Sequence, residues 1–331
     1  MNILITMQKS PLRDQFFPEH IMTSLRAIGN VRMNEYGRTM TETELAEELR
    51  DIDICMTHSW LGCPTFDEYS LRNAHRLRMI AHVCASVGRF LTDEVYNRGI
   101  KVSSANKIMA KYVAEGTLAY MLSALRHIPQ HDQAMKQGNW MKYDKVSLFG
   151  RRIAFVGLGT VGRFLLELLR PWNITARIYD PYIQEEDLLH YPEAELVRSL
   201  PDVLSWGDLV TVHASRTNET HHLLNGQMLS MMKDGAILVN TSRGELIDEQ
   251  ALTAELSSGR ISAVLDVFTQ EPLPLDSELR KLKQVILQPH CAGDTDYAGY
   301  TMGLVDEIRR YMAGEPLQLE ISHKQFQRMT V

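Results

Sequence analysis

Three glycines, spaced Gly157-x-Gly159-x-x-Gly162, stand between a short apolar run at 153–156 and an amphipathic segment at 161–169 that is stopped by Pro171. That arrangement leaves the backbone few options, because a buried strand has to turn sharply into a helix. Gly157 permits the tight turn, Gly159 lets another group approach the backbone, and Gly162 lets the helix pack close to the strand. The helix N-terminus then offers unpaired N–H groups and a positive dipole end to an anion such as a pyrophosphate. The glycine spacing alone is a weak signal; between a strand and a helix it is a strong one. Gly157, Gly159, Thr160, Val161 and Gly162 are therefore the first candidate cofactor-binding residues.

Around this turn, short apolar runs alternate with longer periodic segments, the pattern of a parallel sheet covered by helices. The pattern predicts strands at 2–6, 52–57, 78–84 and 100–104, then a long helix at 110–127 interrupted by Pro129. A second helical stretch is expected to reach Trp140. Beyond Gly150 come strands at 153–156, 175–179, 209–213, 236–240, 262–267 and 285–287, with helical material between them. This succession is doubly wound. A helical pattern at 298–312 is expected to pack back on the first domain, and the last eight or so residues are expected to be poorly ordered.

The strand after the glycine turn ends at Tyr179-Asp180. A carboxylate there can accept hydrogen bonds from ribose hydroxyls and repels a 2′-phosphate, which favours NAD over NADP. Three later strands each run into a residue suited to acid–base work: Arg243 after 236–240, Glu271 after 262–267, and His290 after 285–287. In a parallel sheet those carboxyl ends lie along one edge, the edge that also carries the glycine turn. Arginine holds a carboxylate in a fixed fork and can polarise an adjacent keto oxygen. Histidine titrates near neutrality, so it can give or take the proton. A neighbouring glutamate would stabilise the imidazolium and fix the ring's orientation. The scheme is hydride transfer between nicotinamide and a small 2-keto or 2-hydroxy acid, and it needs no metal.

Composition excludes other classes. A length of 331 residues suits two domains, and 44% apolar with 23% charged residues is ordinary for a globular chain. A net charge of -6 argues against a sequence-independent grip on nucleic acid. No apolar run approaches the roughly 20 residues needed to span a bilayer, and the first residues lack the pattern of a leader, so the expectation is a cytoplasmic protein with no membrane partner. Cys55, Cys63, Cys84 and Cys291 are widely spaced. Cys55 and His58 with Cys63 lack the second paired half of a zinc site, and the cysteines read as reduced thiols.

At these residues the sequence resembles the D-isomer-specific 2-hydroxyacid dehydrogenases. The resemblance runs from about Arg78 to Tyr311 and rests on Val113-Ala114-Glu115, the 157–162 glycine turn, Asn240-Thr241-Ser242-Arg243-Gly244, Leu265-Asp266-Val267-Phe268 with Glu271-Pro272, and Pro289-His290. It implies a flavodoxin-like, doubly wound substrate domain from 1–104 and 293–331, with a Rossmann-type NAD-binding domain inserted at 105–292. It implies Arg243 as the substrate-binding and catalytic arginine, His290 as proton donor or acceptor, and Glu271 as the acidic partner of His290. His213 and Thr241 join the cofactor-binding set, and Asp266 is implied to anchor the nicotinamide carboxamide. Action on the D-isomer and a homodimer with contacts around Trp140 are implied in the same way, and the sequence shows no sign of an added C-terminal regulatory domain.

The chain departs from the family pattern twice. The loop whose N–H groups grip the substrate carboxylate reads Ala85-Ser86-Val87-Gly88-Arg89-Phe90, so Ser86, Val87 and Gly88 are the substrate-binding candidates while the substrate itself stays open. After His213 stands Ala214-Ser215-Arg216-Thr217, where Arg216 keeps NADP as a minority reading. A dehydrogenase for another small anion such as phosphite, and a non-catalytic NAD-sensing protein, are the competing functions.

Overall fold

The computed structural model describes residues 1–59 and 61–327 of the chain. They form two compact units: Met1–Met109 with the stretch from Thr295 onward, and Ala110–Asp294. Each is built on its own parallel sheet. Among the described residues no helix is long and apolar enough to cross a membrane.

The first unit carries β1 (Asn2–Ile5), β2 (Asn30–Met33), β3 (Ile54–Thr57), β4 (Met79–His82) and β5 (Lys101–Ser104) in the spatial order β2-β1-β3-β4-β5. The chain winds outward from β1 in both directions, the order of flavodoxin-like sheets. β3 and β4 are buried along their whole length, and near-continuous apolar runs are what a strand covered on both faces requires. β2 is the strand the pattern did not predict. It is an edge strand, Asn-Val-Arg-Met, of which no residue is fully buried, so it lacks the apolar run that marks the others. The helix Tyr297–Ala313 buries Tyr300, Leu304, Val305 and Ile308 at helical spacing and belongs to this unit, as expected. At the start of the tail expected to be poorly ordered, His323–Phe326 forms a helical turn capped by Ser322; residues 328–331 lie outside the described residues.

The second unit carries β6 (Arg152–Val156), β7 (Thr175–Tyr179), β8 (Ala194–Leu196), β9 (Leu209–Val212), β10 (Ile237–Asn240), β11 (Ser262–Leu265) and β12 (Val285–Leu287) in the order β12-β11-β10-β9-β6-β7-β8. All pairings are parallel, and the winding reverses between β6 and β9. β8 was also missed, for the same reason as β2: it is a three-residue edge strand with no buried residue. The second helix, Ile128–Lys136, stops before Trp140. Pro129 opens it at the first turn, where a missing N–H costs nothing, and Gly138 at φ 80° turns the chain away.

Candidate active site

Register decides which residues of the second unit share an edge. Val156 pairs with Tyr179 and Val212, Asn240 with Val212 and Leu265, and Leu265 with Leu287. These six residues make one row across the sheet. Gly157, Asp180, His213, Thr241 and Asp266 are each the first residue past that row, although they are spread over more than a hundred positions of sequence. Arg243 and His290 follow within three residues of it.

Gly157 has φ 88°, and a Cβ there would lie 2.6 Å from the Ala214 backbone nitrogen, so no other residue fits this turn without strain. Its N–H donates to the Tyr179 carbonyl at 2.8 Å. Gly159 is exposed and caps the helix Thr160–Leu169 with no side-chain bond, leaving the first N–H groups uncapped by any side chain. Thr160 and Val161 are half-buried in that first turn. Gly162 is buried, and its position for a Cβ lies 3.4 Å from the His213 Cβ, which sets how near the helix comes to the end of β9.

Asp180 accepts from the Leu158 N–H at 2.8 Å through one carboxylate oxygen and from the Tyr182 N–H at 2.9 Å through the other. It therefore ties the end of β7 to the glycine turn. Arg198 donates to the Asp180 carbonyl at 3.2 Å and to the Gln184 side chain at 3.0 Å. Arg216, the other basic residue in question, lies 3.5 Å from Glu245.

His213 is 7% exposed, and burial lowers its pKa to about 3, so the ring is neutral. Its Nε2 meets Thr211 Oγ1 at 2.9 Å. Thr241 is buried and shares a 2.8 Å hydroxyl contact with Thr117, which donates to the Val113 carbonyl.

The turn that presents Arg243 is built by its neighbours. Asn240 donates through its side chain to the Arg243 carbonyl at 2.9 Å and accepts from the Ser242 N–H at 3.0 Å, and the Ser242 hydroxyl donates to the Val212 carbonyl at 2.8 Å. This asparagine-centred turn needs Gly244 next: a Cβ there would overlap the Phe268 carbonyl carbon at 2.0 Å. Phe268 in turn donates its N–H to Glu271 Oε1 at 3.0 Å.

Glu271 Oε2 lies 2.7 Å from His290 Nδ1. Burial pushes the Glu271 pKa up, but the hydrogen bonds from His290 and the Phe268 N–H outweigh it, helped by the positive charge of Arg243, and the carboxyl titrates below its usual 4.5. The three candidate catalytic residues are thus electrostatically connected. His290 has φ 54°, in the left-handed region that is uncommon for non-glycine residues, and its surroundings hold it there. The surroundings are identifiable. Asp266, 1% exposed, accepts from the Cys291 N–H at 2.9 Å and the Ala292 N–H at 3.1 Å, and Tyr120 donates to the same carboxylate at 3.3 Å. Gly116 lets its helix approach the Ala292 backbone, since a Cβ would sit 2.4 Å from that carbonyl oxygen. Asp266 was read only as a cofactor anchor; its observed contacts hold the segment that follows His290. Tyr120, Thr117 and Gly116 were not read as site residues, for they lie on one helix far away in sequence and nothing local marks them. The Asn240–Ser242 turn was readable, because asparagine two residues before serine is a common side-chain-to-backbone turn.

Ser86, Val87 and Gly88 follow β4 in the first unit. The Ser86 carbonyl accepts from the Ser59 hydroxyl at 3.3 Å, Val87 is fully buried, and the Gly88 N–H reaches Ser86 Oγ at 3.5 Å.

Residues 118–292 match the family model described as the D-isomer specific 2-hydroxyacid dehydrogenase, NAD binding domain. A D-3-phosphoglycerate dehydrogenase of Methanocaldococcus jannaschii is 31% identical over 90% of this chain and 56% of its own length. A glyoxylate reductase of Korarchaeum cryptofilum is 31% identical over 75% of each chain. The chain spans about half the length of the D-3-phosphoglycerate dehydrogenases that it matches. An acyclic imino acid reductase solved with NADPH and D-Arg has the same fold, with a TM-score of 0.81 at 22% identity, covering 97% of this chain and 100% of that one.

Proposed function

The chain belongs to the D-isomer specific 2-hydroxyacid dehydrogenases, and from that premise we propose that it is an NAD(H)-dependent oxidoreductase interconverting a small 2-keto acid and its D-2-hydroxy acid. The observation that carries this reading is the 2.7 Å contact between His290 Nδ1 and Glu271 Oε2, beside the same sheet edge as the glycine turn. With Nδ1 held by Glu271, Nε2 is the nitrogen assigned to pass the proton to or from the substrate oxygen. Ionised Glu271 orients the ring and balances its charge when it is protonated. Arg243 is assigned to the substrate carboxylate and to the neighbouring carbonyl oxygen, where negative charge develops on reduction. Ser86, Val87 and Gly88 are assigned to the substrate carboxylate as a backbone cradle. NAD(H), when bound, supplies or accepts the hydride.

The residues present fit a dinucleotide. The backbone is exposed at Gly159, and the helix N-terminus at Thr160 and Val161 has no side-chain cap. Asp180 is assigned to the ribose hydroxyls, His213 and Thr241 to the walls of the site, and Asp266 to the carboxamide in addition to its observed bonds. Arg216 is engaged by Glu245, which supports NAD over NADP. Glyoxylate, hydroxypyruvate and pyruvate are the leading substrates, the first in keeping with the glyoxylate reductase relative. A homodimer through the segment after Lys136 is part of the proposal, supported by Trp140 and Met141 at 80% and 53% exposure.

The test follows loss of reduced-nicotinamide absorbance with NADH, and separately NADPH, over a panel of small 2-keto acids. Turnover with NADH that disappears in His290→Ala is the expected result. Undiminished turnover in that variant would remove His290 from the mechanism. NADH binding without turnover of any 2-keto acid would move the reading to another anion such as phosphite, or to a non-catalytic NAD sensor.

A further inference from the structure

β4 ends on His82, whose side chain is fully buried and engaged at both ring nitrogens. Nδ1 lies 2.8 Å from Thr57 Oγ1 at the end of β3, and Nε2 lies 2.9 Å from Ser59 Oγ. The Ser59 hydroxyl donates to the Ser86 carbonyl at 3.3 Å. These contacts favour one arrangement of the protons. With the Ser59 hydroxyl proton directed at the Ser86 carbonyl, Ser59 accepts from Nε2–H. Burial, with His58 adding to it, holds the His82 pKa well below 6.5, so the ring carries a single proton and Nδ1 accepts from the Thr57 hydroxyl. Every donor in the series Thr57, His82, Ser59 finds its acceptor in the next, and the last acceptor is the loop.

Most buried histidines with satisfied nitrogens join elements of the core. This one reaches an exposed residue, Ser59, whose bond joins the loop after β3 to the loop after β4. The second loop is pinned on its far side as well. The Val87 carbonyl accepts from the Leu91 N–H at 3.1 Å, and the Phe90 ring lies 4.6 Å from the His82 ring. Among the described residues no acceptor is recorded for the N–H of Val87, a fully buried residue, and the N–H of half-buried Gly88 has only the 3.5 Å contact to Ser86 Oγ. A loop held firmly by its carbonyls, with the Gly88 N–H barely spent, is suited to an anion.

We infer that His82 and Ser59 are positioning residues for substrate recognition, holding the Ser86–Gly88 loop in the shape in which its backbone, Gly88 N–H first, serves the substrate carboxylate. The inference rests on the proposed 2-keto acid reductase activity and adds to it the residues that shape the carboxylate cradle.

Ser59→Ala removes the bridge at an exposed position, and Ser59→Thr retains the hydroxyl. Two readouts are taken on the full chain: steady-state kinetics with NADH and the best 2-keto acid, and amide hydrogen exchange at 86–88. Ser59→Ala should raise KM for the keto acid about tenfold, the value of one lost hydrogen bond at this site, with kcat and the Kd for NADH within about twofold of wild type. Exchange at 86–88 should accelerate, and Ser59→Thr should restore both. Unchanged exchange in Ser59→Ala would overturn the bridge, and faster exchange with unchanged KM would overturn its link to substrate. A wild-type chain that binds NADH but reduces no 2-keto acid would instead defeat the proposed function.

Discussion

At His290 a single side chain with a left-handed backbone depends on constraints from three sides. Glu271 takes its Nδ1, Asp266 takes the next two backbone N–H groups, and Gly116 admits the helix behind them. A carboxamide is not a substitute for Glu271 in this setting. It keeps an acceptor but loses the charge, so Glu271→Gln should lower kcat by about a hundredfold while NADH binding is preserved, as single-turnover kinetics and fluorescence titration would show. Arg243→Ala should cost about 3 kcal/mol of transition-state stabilisation, roughly a hundredfold or more in kcat/KM, with the thermal midpoint little changed because the side chain is only partly buried. If either variant matched wild type, the corresponding role would have to be given up. The depressed pKa of Glu271 also has a stability consequence with a definite sign. A carboxylate titrating below its usual 4.5 stabilises the fold fully above that value and loses the contribution as pH falls through the lower folded value. Between pH 5 and 7 Glu271 thus stays ionised beside His290.

Elements matter here through where they end. A parallel sheet with aligned register delivers the ends of β6, β7, β9, β10 and β11 to one edge, and the side chains just past them become neighbours whatever their separation in sequence. The glycine turn after β6 has no room for a side chain at Gly157. Gly157→Ala combines a positive φ with a 2.6 Å approach to the Ala214 backbone, so it should destabilise the second unit by about 1–3 kcal/mol and weaken NADH binding, read by calorimetry and by titration. At the end of β7, Asp180→Ala should weaken NADH by at least about tenfold. It should also narrow the gap to NADPH, because Arg198 lies against the Asp180 carbonyl and could face a 2′-phosphate once the carboxylate is gone. An unaltered preference between the two cofactors would show that Asp180 serves only to hold the turn through Leu158. The buried strands were legible from their apolar runs. The edge strands β2 and β8 were not, since a strand covered on few sides has little apolar sequence to show.

For the molecule as a whole, three buried neutral histidines contribute to the response to mild acid. Burial lowers His58 to about 4 and His213 to about 3, and holds His82 well below 6.5. In the unfolded chain each regains a pKa near 6.5, so the unfolded state binds the extra protons and stability falls as pH drops below that value. The loss is about 1.4 kcal/mol per pH unit for each such histidine. His58 and His82 lie in the first unit and His213 in the second. Calorimetry between pH 6.5 and 5 should therefore show the first unit's transition falling about twice as steeply as the second's. His82→Gln should flatten the steeper slope, and equal slopes would mean that these rings protonate without unfolding.

By itself the sequence determined the chemistry available to this protein: a strand–glycine turn–helix suited to a dinucleotide, and an arginine, a glutamate and a histidine each placed just beyond a strand. Local pattern suffices there, because apolar periodicity and glycine spacing act through neighbouring residues. Only the tertiary structure decided how those residues are held. The pairing of Asp266 with the segment after His290, the approach of Gly116 and Tyr120, and the series from Thr57 through His82 and Ser59 to Ser86 all join positions that no periodicity links. Hydrogen bonds depend on distance in space and on unspent donors and acceptors, and neither quantity exists until the sheets have formed.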